Sequence, residues 1–297
     1  MRTSQRNLLR ILIATVGLCI LVVLFYRLGP QNILALFRQI GWAFLGVVLI
    51  YGVQELVRAL AVFECLAPES RPAFKKVVHI RLIGEAVRAV TLTGPFLAEP
   101  TRAWFIKREG VRASEAVAAT VGEYVLNGLV SALLTIAAVL YLFNYVEVPK
   151  ELRVAGSVLL YGSLGYLAIA IVLVRKRSSV AETIAKTVGR RGTLPRLMVL
   201  QVVAHGLVLL ETYWALTSMG VTSSIFTTSI AEILTKLANV AFVGMTEGAY
   251  AFLFHALGLP AAAGFTLSLV KRLRSFALAV VGLGSLALIS GRSSENP

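Results

Sequence analysis

Charged residues are scarce in this chain, and acidic residues are scarcer still. Only 15% of its 297 residues are charged, whereas 57% are hydrophobic, and the mean hydropathy is +0.80. This composition excludes a soluble globular domain of the same length, which would need a more polar surface. Several apolar stretches reach the roughly 20 residues that cross the hydrocarbon core of a bilayer. The composition therefore predicts a membrane protein.

Cysteine and histidine are also sparse, which limits the chemistry that the chain can carry. The two cysteines, Cys19 and Cys65, fall in apolar stretches, where we expect them to pack as small apolar side chains. The three histidines, His79, His205 and His255, lie in different segments without the spacing of metal ligands. We therefore expect no disulfide, no metal site and no cofactor.

Six apolar stretches are long enough to be membrane spans. The first follows a basic head but lacks a small-x-small cleavage site, so we expect an uncleaved span rather than a signal peptide. The predicted spans are 9–28, 40–63, 116–143, 154–174, 197–219 and 264–290. The segments between them leave no room for a soluble catalytic domain. Because no Ser–His, His–Asp or metal cluster occurs in the sequence, an enzyme is the weakest class of function.

The charge balance is one-sided, with 29 lysines and arginines against 15 acids and a net charge of +14. In a soluble protein this excess would indicate binding to nucleic acid. Here the basic residues concentrate in short loops, where they indicate cytoplasmic orientation and contact with anionic lipid. By this rule the two termini and loops 71–81, 102–112 and 175–196 are cytoplasmic, whereas loops 144–153 and 220–229 are external.

Segment 77–98 lies between two basic loops, so both of its ends are expected on the cytoplasmic side. A single crossing would place the two ends on opposite sides of the membrane. Each charge within the segment would also cost about 3 kcal/mol at the centre of a spanning helix. A re-entrant hairpin removes the conflict, because Gly94 and Pro95 supply a break. Segment 230–257, with its break at Gly244, is predicted to form a second hairpin that enters from the external side.

An internal duplication relates the two predicted hairpins. Glu99 and Glu247 lie 148 residues apart, and each is followed by Gly at +11, Ala at +14 and a charged residue at +24. Three crossings separate the hairpins, so the second copy is inverted, as in transporter folds. We predict an all-α polytopic membrane protein with about six transmembrane helices plus two re-entrant hairpins in an inverted repeat. It would be a single membrane domain, 1–297, built from repeats 1–146 and 147–297.

Charged residues within the membrane are expensive there and are therefore functional candidates. Helical spacing of three or four residues places some of them on a shared face, where they can pair. The candidate pairs are Glu55–Arg58, Glu85–Arg88 and Glu232–Lys236. The alternative for each pair is a structural bridge that neutralises itself and holds helices together.

Four further charges also have structural alternatives. Lys271 and Arg274 stand near the outer end of the last span, where snorkelling to the interface explains them without a function. Glu99 and Glu247 follow helix breaks and can serve as N-caps or first-turn acids. That role is compatible with ligand binding, because the N-terminus of a half-helix also attracts an anionic headgroup.

Two short blocks resemble a known family. Residues 94–102 (GPFLAEPTR), followed by Gly110 and Val111, resemble its block of proline, small residue, Glu, two residues and Arg before Gly-Val. Residues 243–249 (VGMTEGA) resemble its second block, and Arg272 resembles its late Arg. The family is the membrane region of lysylphosphatidylglycerol synthase-type proteins, often called flippase-like, and the resemblance spans nearly the whole chain.

The resemblance implies lipid handling in a bacterial cytoplasmic membrane, with flipping of an aminoacylated or other polar lipid in the best-known members. The chain departs from the family in two ways. It lacks the soluble aminoacyl-transfer domain, so we expect no synthesis of lysyl-lipid. Its second block also has Phe242-Val243-Gly244 in place of the usual Pro-Gly-Gly.

The first hypothesis for function is a lipid translocator that moves a polar or anionic lipid between leaflets. Arg58, Arg102 and Arg272 would hold a phosphate, because Arg suits bidentate contact with anions. Glu99 and Glu247 would bind a cationic headgroup, a proton or a coupling ion. The further candidates for headgroup or ion binding are Glu85, Arg88 and Glu123.

The expected partners are membrane lipids, anionic or aminoacylated, and no nucleic acid. A membrane-protein partner or a homo-oligomer stays open. The alternative function is a non-transporting membrane scaffold or partner of lipid-modifying enzymes, for example those of isoprenoid, hopanoid or aminoacyl-lipid metabolism. Acid–base pairs on broken helices favour the translocator, since a scaffold has little need of them.

Overall fold

The protein was analysed as a computed structural model, which describes residues 22–23, 25–90, 95–145, 150–175, 193–235 and 245–292. Within these ranges every regular element is helical. The helices are α1 (Pro30–Ile40), α2 (Ala43–Cys65), α3 (Phe74–Val90), α4 (Pro95–Arg108), α5 (Ala113–Tyr145), α6 (Lys150–Arg175), α7 (Thr193–Ser218), α8 (Ile225–Leu234), α9 (Met245–Ala256) and α10 (Ala261–Arg292), with a 3₁₀ turn at Pro68–Ser70.

Four of the described helices are long and apolar enough to cross a membrane. They are Ala43–Cys65, Ala113–Asn144, Leu152–Val172 and Thr193–Ser218. These segments lie in α2, α5, α6 and α7, at four of the six predicted spans. The first predicted span falls mainly outside the described residues, and the sixth falls within the 32-residue helix α10. The chain is an all-α, multi-pass membrane protein.

The first predicted hairpin corresponds to the helix pair α3 and α4, which pack against each other. Pro95 is the first residue of α4, where its missing N–H leaves no bond unmade. The predicted break at Gly94 lies outside the described residues. The second predicted hairpin corresponds to α8 and α9, and its predicted break at Gly244 also lies outside them. Re-entry into the membrane stays a prediction for both pairs.

The +11 glycines of the duplicated motif, Gly110 and Gly258, both lie just after the end of a helix. Their φ angles are +94° and +74°, a left-handed conformation that favours glycine. Each N–H donates to the carbonyl three residues earlier, at 3.1 and 3.0 Å, just after α4 and α9 end. The next helices, α5 and α10, then begin at the +14 alanines, Ala113 and Ala261. The motif spacing is therefore that of a helix end followed by a helix start.

Two compact units contain one helix pair each. The α3–α4 unit comprises Val48–Leu134, Gly162–Val208 and Leu273–Pro297, and the α8–α9 unit comprises Met1–Val47, Thr135–Tyr161 and Leu209–Arg272. The core of the α3–α4 unit includes the buried side chains of Leu66, Ile80, Ile106 and Leu197. The core of the α8–α9 unit includes those of Leu216, Tyr250, Phe254 and Val270. Each unit thus has its own apolar core, against which its charged residues are held.

Candidate functional site

A group of charged side chains converges inside the α3–α4 unit. Helix α3 begins this arrangement, since Arg81, Glu85 and Arg88 follow one another at intervals of four and three residues along one helix face. We define the α3–α4 cluster as Glu55, Arg58, Arg81, Glu85, Arg88, Glu99, Arg102 and Glu123. Its members come from α2, α3, α4 and α5, so ion pairs connect all four helices.

Glu123 on α5 is the most deeply buried acid of this cluster. Arg58 contacts both of its carboxylate oxygens, with Nε at 2.8 Å and Nη2 at 3.2 Å, and Arg81 Nη1 lies 3.3 Å from Oε2. The amide of Gln201 on α7 donates to the same carboxylate at 3.4 Å. Glu123 is completely shielded from solvent, so its charge depends on these donors.

The expected pair between Glu55 and Arg58 is not among the ion pairs of the described residues. Glu55 instead accepts a hydrogen bond from Arg81 Nε on α3 at 2.7 Å, while Arg58 binds Glu123. The physical reason is burial: Glu55 and Arg81 are each 2% exposed, so both need a fully desolvated partner. Interhelical partners supply this better than the neighbouring turn of the same helix.

Glu85 is the second centre of the cluster. Its carboxylate accepts hydrogen bonds from the Tyr51 hydroxyl at 2.8 Å, from Arg102 Nη2 at 2.8 Å and from Arg88 Nη2 at 2.6 Å. The expected pair between Glu85 and Arg88 is therefore present. Arg88 also contacts the Tyr51 hydroxyl, and the guanidinium of Arg274 stacks over the Tyr51 ring at 3.9 Å from the centroid.

Arg102 lies where α3 and α4 pack against each other. Its side chain crosses Gly84, at which a Cβ would lie 2.7 and 2.9 Å from Cγ and Cδ of Arg102. Glycine at this position therefore allows the arginine to reach Glu85. Arg102 also forms an ion pair with Glu99, one turn earlier on α4. The two residues that carry the first family-like block thus contact each other.

Some polar atoms of the cluster have no hydrogen-bond partner within the described residues. They are Arg81 Nη2, Arg102 Nε and Glu99 Oε2, all of them buried. Together with Arg274, the cluster holds five arginines against four glutamates. A net positive charge with unpartnered guanidinium nitrogens is suited chemically to an anionic group with several acceptor oxygens.

A second, smaller arrangement lies in the α8–α9 unit, which we call the α8–α9 cluster. Glu232 on α8 accepts a hydrogen bond from Thr212 Oγ1 at 2.6 Å and forms an ion pair with Lys271 on α10. Lys271 also lies over the Tyr250 ring, 5.9 Å from its centroid. The predicted partner of Glu232, Lys236, lies outside the described residues.

The last two members of the α8–α9 cluster are Glu247 and Arg272. Glu247 is fully buried, and its Oε1 lies 2.5 Å from Arg272 Nη2. Both residues belong to the family-like pattern, so here too the pattern's acid and base contact each other.

Snorkelling is wrong for Lys271 and Arg274. The Lys271 side chain is only 11% exposed, and Arg274 is 8% exposed. Both side chains instead have partners inside the protein. Glu232 pairs with Lys271, and the Tyr51 ring faces Arg274. Both residues are parts of buried clusters rather than interfacial anchors.

The helix-cap alternative fits one of the two motif acids. Glu247 lies in the first turn of α9, where the helix dipole favours a negative charge. Glu99 is the fifth residue of α4, so it lies beyond the cap and first-turn positions. Its contact with Arg102 explains its place better than capping does.

The structure therefore divides the predicted site residues between two clusters. Six of them join the α3–α4 cluster, namely Arg58, Glu85, Arg88, Glu99, Arg102 and Glu123, and the remaining two, Glu247 and Arg272, join the α8–α9 cluster. The sequence alone did not single out Arg81 or Tyr51, and it named Glu55 and Arg274 only as intramembrane charges with structural alternatives. Arg81 could have been found from its position four residues before Glu85, whereas Tyr51 carries no comparable signal.

No group of three or more His, Cys, Asp or Glu side chains that could hold a metal ion occurs within the described ranges. A family model for the lysylphosphatidylglycerol synthase transmembrane region matches residues 7–282. Comparisons with curated proteins and with solved structures gave no match. The family match covers almost the whole chain, including both clusters and both family-like blocks. The chain belongs to the family of the lysylphosphatidylglycerol synthase transmembrane region.

Proposed function

We propose that this protein is a lipid translocator that moves a polar or anionic lipid between the leaflets of the bacterial cytoplasmic membrane. In this proposal six spans and two re-entrant hairpins form an inverted repeat, with both termini in the cytoplasm. In this proposal the chain translocates lipid and does not synthesise it. Its partners are membrane lipids, anionic or aminoacylated, whose acyl chains stay in the bilayer while the headgroup passes the charged residues.

The observation that carries the proposal is the α3–α4 cluster. Ionisable groups are costly inside a membrane protein and are usually retained for transport, proton transfer or ligand binding. A purely structural network would be expected to satisfy all of its donors. This cluster instead has buried nitrogens on Arg81 and Arg102 that have no hydrogen-bond partner within the described part of the chain. In this proposal an incoming phosphate displaces the side chains around these nitrogens and accepts hydrogen bonds from both.

The contacts of each arginine decide which of them is best suited to hold that phosphate. Arg58 was a sequence candidate, but it already makes a two-point contact with Glu123. Arg81 and Arg102 each have a nitrogen without a partner among the described residues, so they are the stronger candidates. The side chain of Arg272 is 31% exposed while it is paired with Glu247, so part of this side chain is accessible.

Glu99 could be replaced by a phosphate as the partner of Arg102. It is paired with Arg102, and its second carboxylate oxygen has no partner among the described residues. A phosphate that binds Arg102 would compete with Glu99 for the guanidinium. The released carboxylate could then bind a proton, a coupling ion or the cationic part of a headgroup. Glu247 would act similarly beside Arg272.

Reconstitution tests this function directly. Liposomes containing the purified protein would be loaded with fluorescent phosphatidylglycerol, phosphatidylethanolamine or lysylphosphatidylglycerol, and leaflet exchange would be followed by dithionite quenching. We expect Arg102→Gln to slow exchange by about tenfold or more, the equivalent of one lost charge-assisted hydrogen bond. Arg108→Gln, an exposed arginine on the same helix, should stay within about twofold of wild type.

A second variant separates position from charge. Gly84→Ala keeps Arg102 but places a Cβ against its side chain, so exchange should fall while the number of charges is unchanged. Thermal unfolding of each variant in detergent controls for misfolding. Absence of exchange by the wild-type protein for every lipid in the panel would overturn the translocator and favour the scaffold.

A further inference from the structure

Helix α1 is short and strongly amphipathic, unlike the long apolar helices that can cross a membrane. The side of α1 that is turned towards the protein carries four buried or half-buried apolar side chains, those of Ile33, Leu36, Phe37 and Ile40. Its exposed residues include the polar Gln31, Asn32, Arg38 and Gln39. A helix of this kind lies along a surface and buries one side.

The apolar face of α1 covers α9 and the start of α10, within the α8–α9 unit. Ile33 packs in one buried cluster with Ala251 of α9, and Leu269 of α10 packs against the same cluster. Ala251 lies four residues after Glu247 and therefore shares its helix face. Leu269 lies three residues before Arg272 and shares the face of that residue. Helix α1 thus covers the faces of α9 and α10 that carry the Glu247–Arg272 pair.

The contacts that hold α1 on this surface are apolar. Among the described residues, no ion pair and no side-chain hydrogen bond joins α1 to another helix, and Asn32 Nδ2 donates to the nearby Leu28 carbonyl at 3.2 Å. Apolar contacts between helices are weak in a membrane, because lipid chains are as apolar as the side chains that they replace. The apolar face of α1 can therefore leave the protein and rest on the bilayer interface at little cost.

Glycines in a left-handed conformation bound α1 at both ends. Gly29 precedes the helix with a φ of +86°, and Gly41 follows it with a φ of +41°. A Cβ at Gly29 would lie 3.0 Å from Asn32 Nδ2, and a Cβ at Gly41 would lie 3.3 Å from the Arg38 carbonyl oxygen. Glycine adopts this conformation and others with similar ease, so the backbone can change direction at both points. The 11 residues of α1 thus form a rigid segment between two pivots.

We propose that α1 is an amphipathic lid over the Glu247–Arg272 pair, with hinges at Gly29 and Gly41. In the closed state its apolar face covers α9 and α10, as in the structure. In the open state it lifts from Ala251, and the headgroup of a polar or anionic lipid reaches the pair. The inference deepens the function proposed above and rests on it, because the lid controls access to one of the two charged clusters.

A fixed interfacial anchor is the alternative role for an amphipathic helix. Such an anchor presents its apolar face to the bilayer. The apolar face of α1 packs on protein instead, since Ile33 is 1% exposed and Ile40 is 3% exposed. Its exposed side carries the polar residues, so α1 covers the helices beneath it rather than attaching them to lipid.

Thiol labelling in liposomes separates a lid from a permanently packed helix, independently of transport. Ala251→Cys and Leu253→Cys would be compared with N-ethylmaleimide in a background that carries Cys19→Ala and Cys65→Ala. Both positions lie on α9 and are 5% exposed, but Leu253 packs in a different cluster, with side chains of α5, α6 and α8. Opening of α1 uncovers Ala251 selectively, so Ala251→Cys should react about tenfold faster than Leu253→Cys.

The glycine hinge gives a second readout. Gly29→Ala disfavours the left-handed φ of the closed state, so labelling of Ala251→Cys should rise by about fivefold, while labelling of Leu253→Cys stays unchanged. Gly52→Ala is the matched control, because Gly52 is a helical glycine at which a Cβ would meet no atom within 4 Å. It should change neither rate. If Gly29→Ala fails to fold, Gly41→Ala tests the other hinge.

A reversible cross-link relates the lid to transport. A disulfide between Ile33→Cys and Ala251→Cys would hold α1 closed, so leaflet exchange should fall by about fivefold and recover after reduction with dithiothreitol. A disulfide between Val139→Cys and Gly156→Cys is the control, because it joins α5 to α6 within the same unit. A Cβ at Gly156 would lie 3.5 Å from Val139 Cγ1. Oxidation of this control should change exchange by less than about twofold.

The outcomes separate the lid from the proposed function. Equal labelling of Ala251→Cys and Leu253→Cys would overturn the lid, as would a Gly29→Ala variant that raises both rates alike. An Ile33–Ala251 cross-link that leaves exchange unchanged would overturn the control of access. Selective labelling together with reversible loss of exchange would establish the lid. A protein that shows selective labelling but exchanges no lipid would overturn the proposed function and leave the opening of α1 standing.

Discussion

The two charged clusters occupy corresponding places in the duplicated sequence but are built differently. In both copies the charged residue at +24 pairs with the first helix of the preceding helix pair. In the first copy Glu123 contacts Arg81 of α3, and in the second Lys271 contacts Glu232 of α8. The link between the helices is kept while the signs of the two charges are exchanged.

The clusters also differ in how the ion pairs of their described residues are arranged. Glu123 is held by two arginines and an amide, and Glu85 by two arginines and a tyrosine. Among the described residues, the ion pairs of the α8–α9 cluster each join one acid to one base. The α3–α4 cluster therefore concentrates positive charge and donors, whereas the described ion pairs of the α8–α9 cluster each match one acid with one base. We therefore expect anion binding to depend mainly on the first.

Replacing Arg81 should destabilise the protein more than replacing any other residue of the two clusters. Arg81→Met leaves Glu55 and Glu123 buried with fewer donors, which should lower the free energy of unfolding by about 3–5 kcal/mol. Lys271→Met should lower it less, since Glu232 keeps its hydrogen bond from Thr212. Thermal or denaturant unfolding in detergent measures both.

Arg108→Met serves as the control, because Arg108 is exposed and stacks on the neighbouring Trp104 ring of its own helix. Equal losses for Arg81→Met and Lys271→Met would contradict the contrast between a shared network and simple pairs.

A charge swap gives an intermediate effect and sharpens the same contrast. Combining Glu232→Lys with Lys271→Glu exchanges the two members of a simple pair. This double variant should recover at least half of the stability lost by either single change. Combining Arg81→Glu with Glu123→Arg should recover little of the lost stability. The introduced arginine would face Arg58, and the introduced glutamate would face Glu55. A double-mutant cycle of unfolding free energies compares the two, and equal recovery would show that the clusters are not different in kind.

Much of the fold could be predicted from the sequence, because the length of its apolar stretches places the spanning helices. Spans 40–63, 116–143, 154–174 and 197–219 each fall on a helix that is long and apolar enough to cross a membrane. The motif glycines Gly110 and Gly258 also have a local cause, since a left-handed helix end favours glycine.

The pairing of charges could be predicted only where both partners lie on one helix. The spacing of three residues identified Glu85 with Arg88, and the same rule failed for Glu55 with Arg58, because α3 and α5 bring better-buried partners to each. Sequence spacing carries no information about the side chains of another helix. The burial of Lys271 was missed for the same reason, since its partner lies 39 residues away on α8.

The smallest expected effect on stability, and the sharpest on transport, concerns Glu99 and Glu247. Glu99→Gln removes a charge that touches Arg102, but Arg102 keeps Glu85, so the unfolding free energy should change by about 1 kcal/mol or less. Leaflet exchange should nevertheless fall steeply, because Gln cannot take up a proton or a cation when a phosphate displaces it.

Glu247→Gln should have a smaller effect on exchange, since its partner Arg272 is partly exposed and belongs to the cluster without a surplus of arginines. Both variants would be compared with wild type at matched expression and thermal stability. Thr101→Val controls for local disturbance of α4, because Thr101 lies near Glu99 and its hydroxyl donates to the Leu97 carbonyl of the same helix at 2.7 Å. Wild-type exchange by Glu99→Gln would show that this acid is only a structural partner of Arg102. A stronger defect in Glu247→Gln than in Glu99→Gln would show that transport depends mainly on the α8–α9 unit.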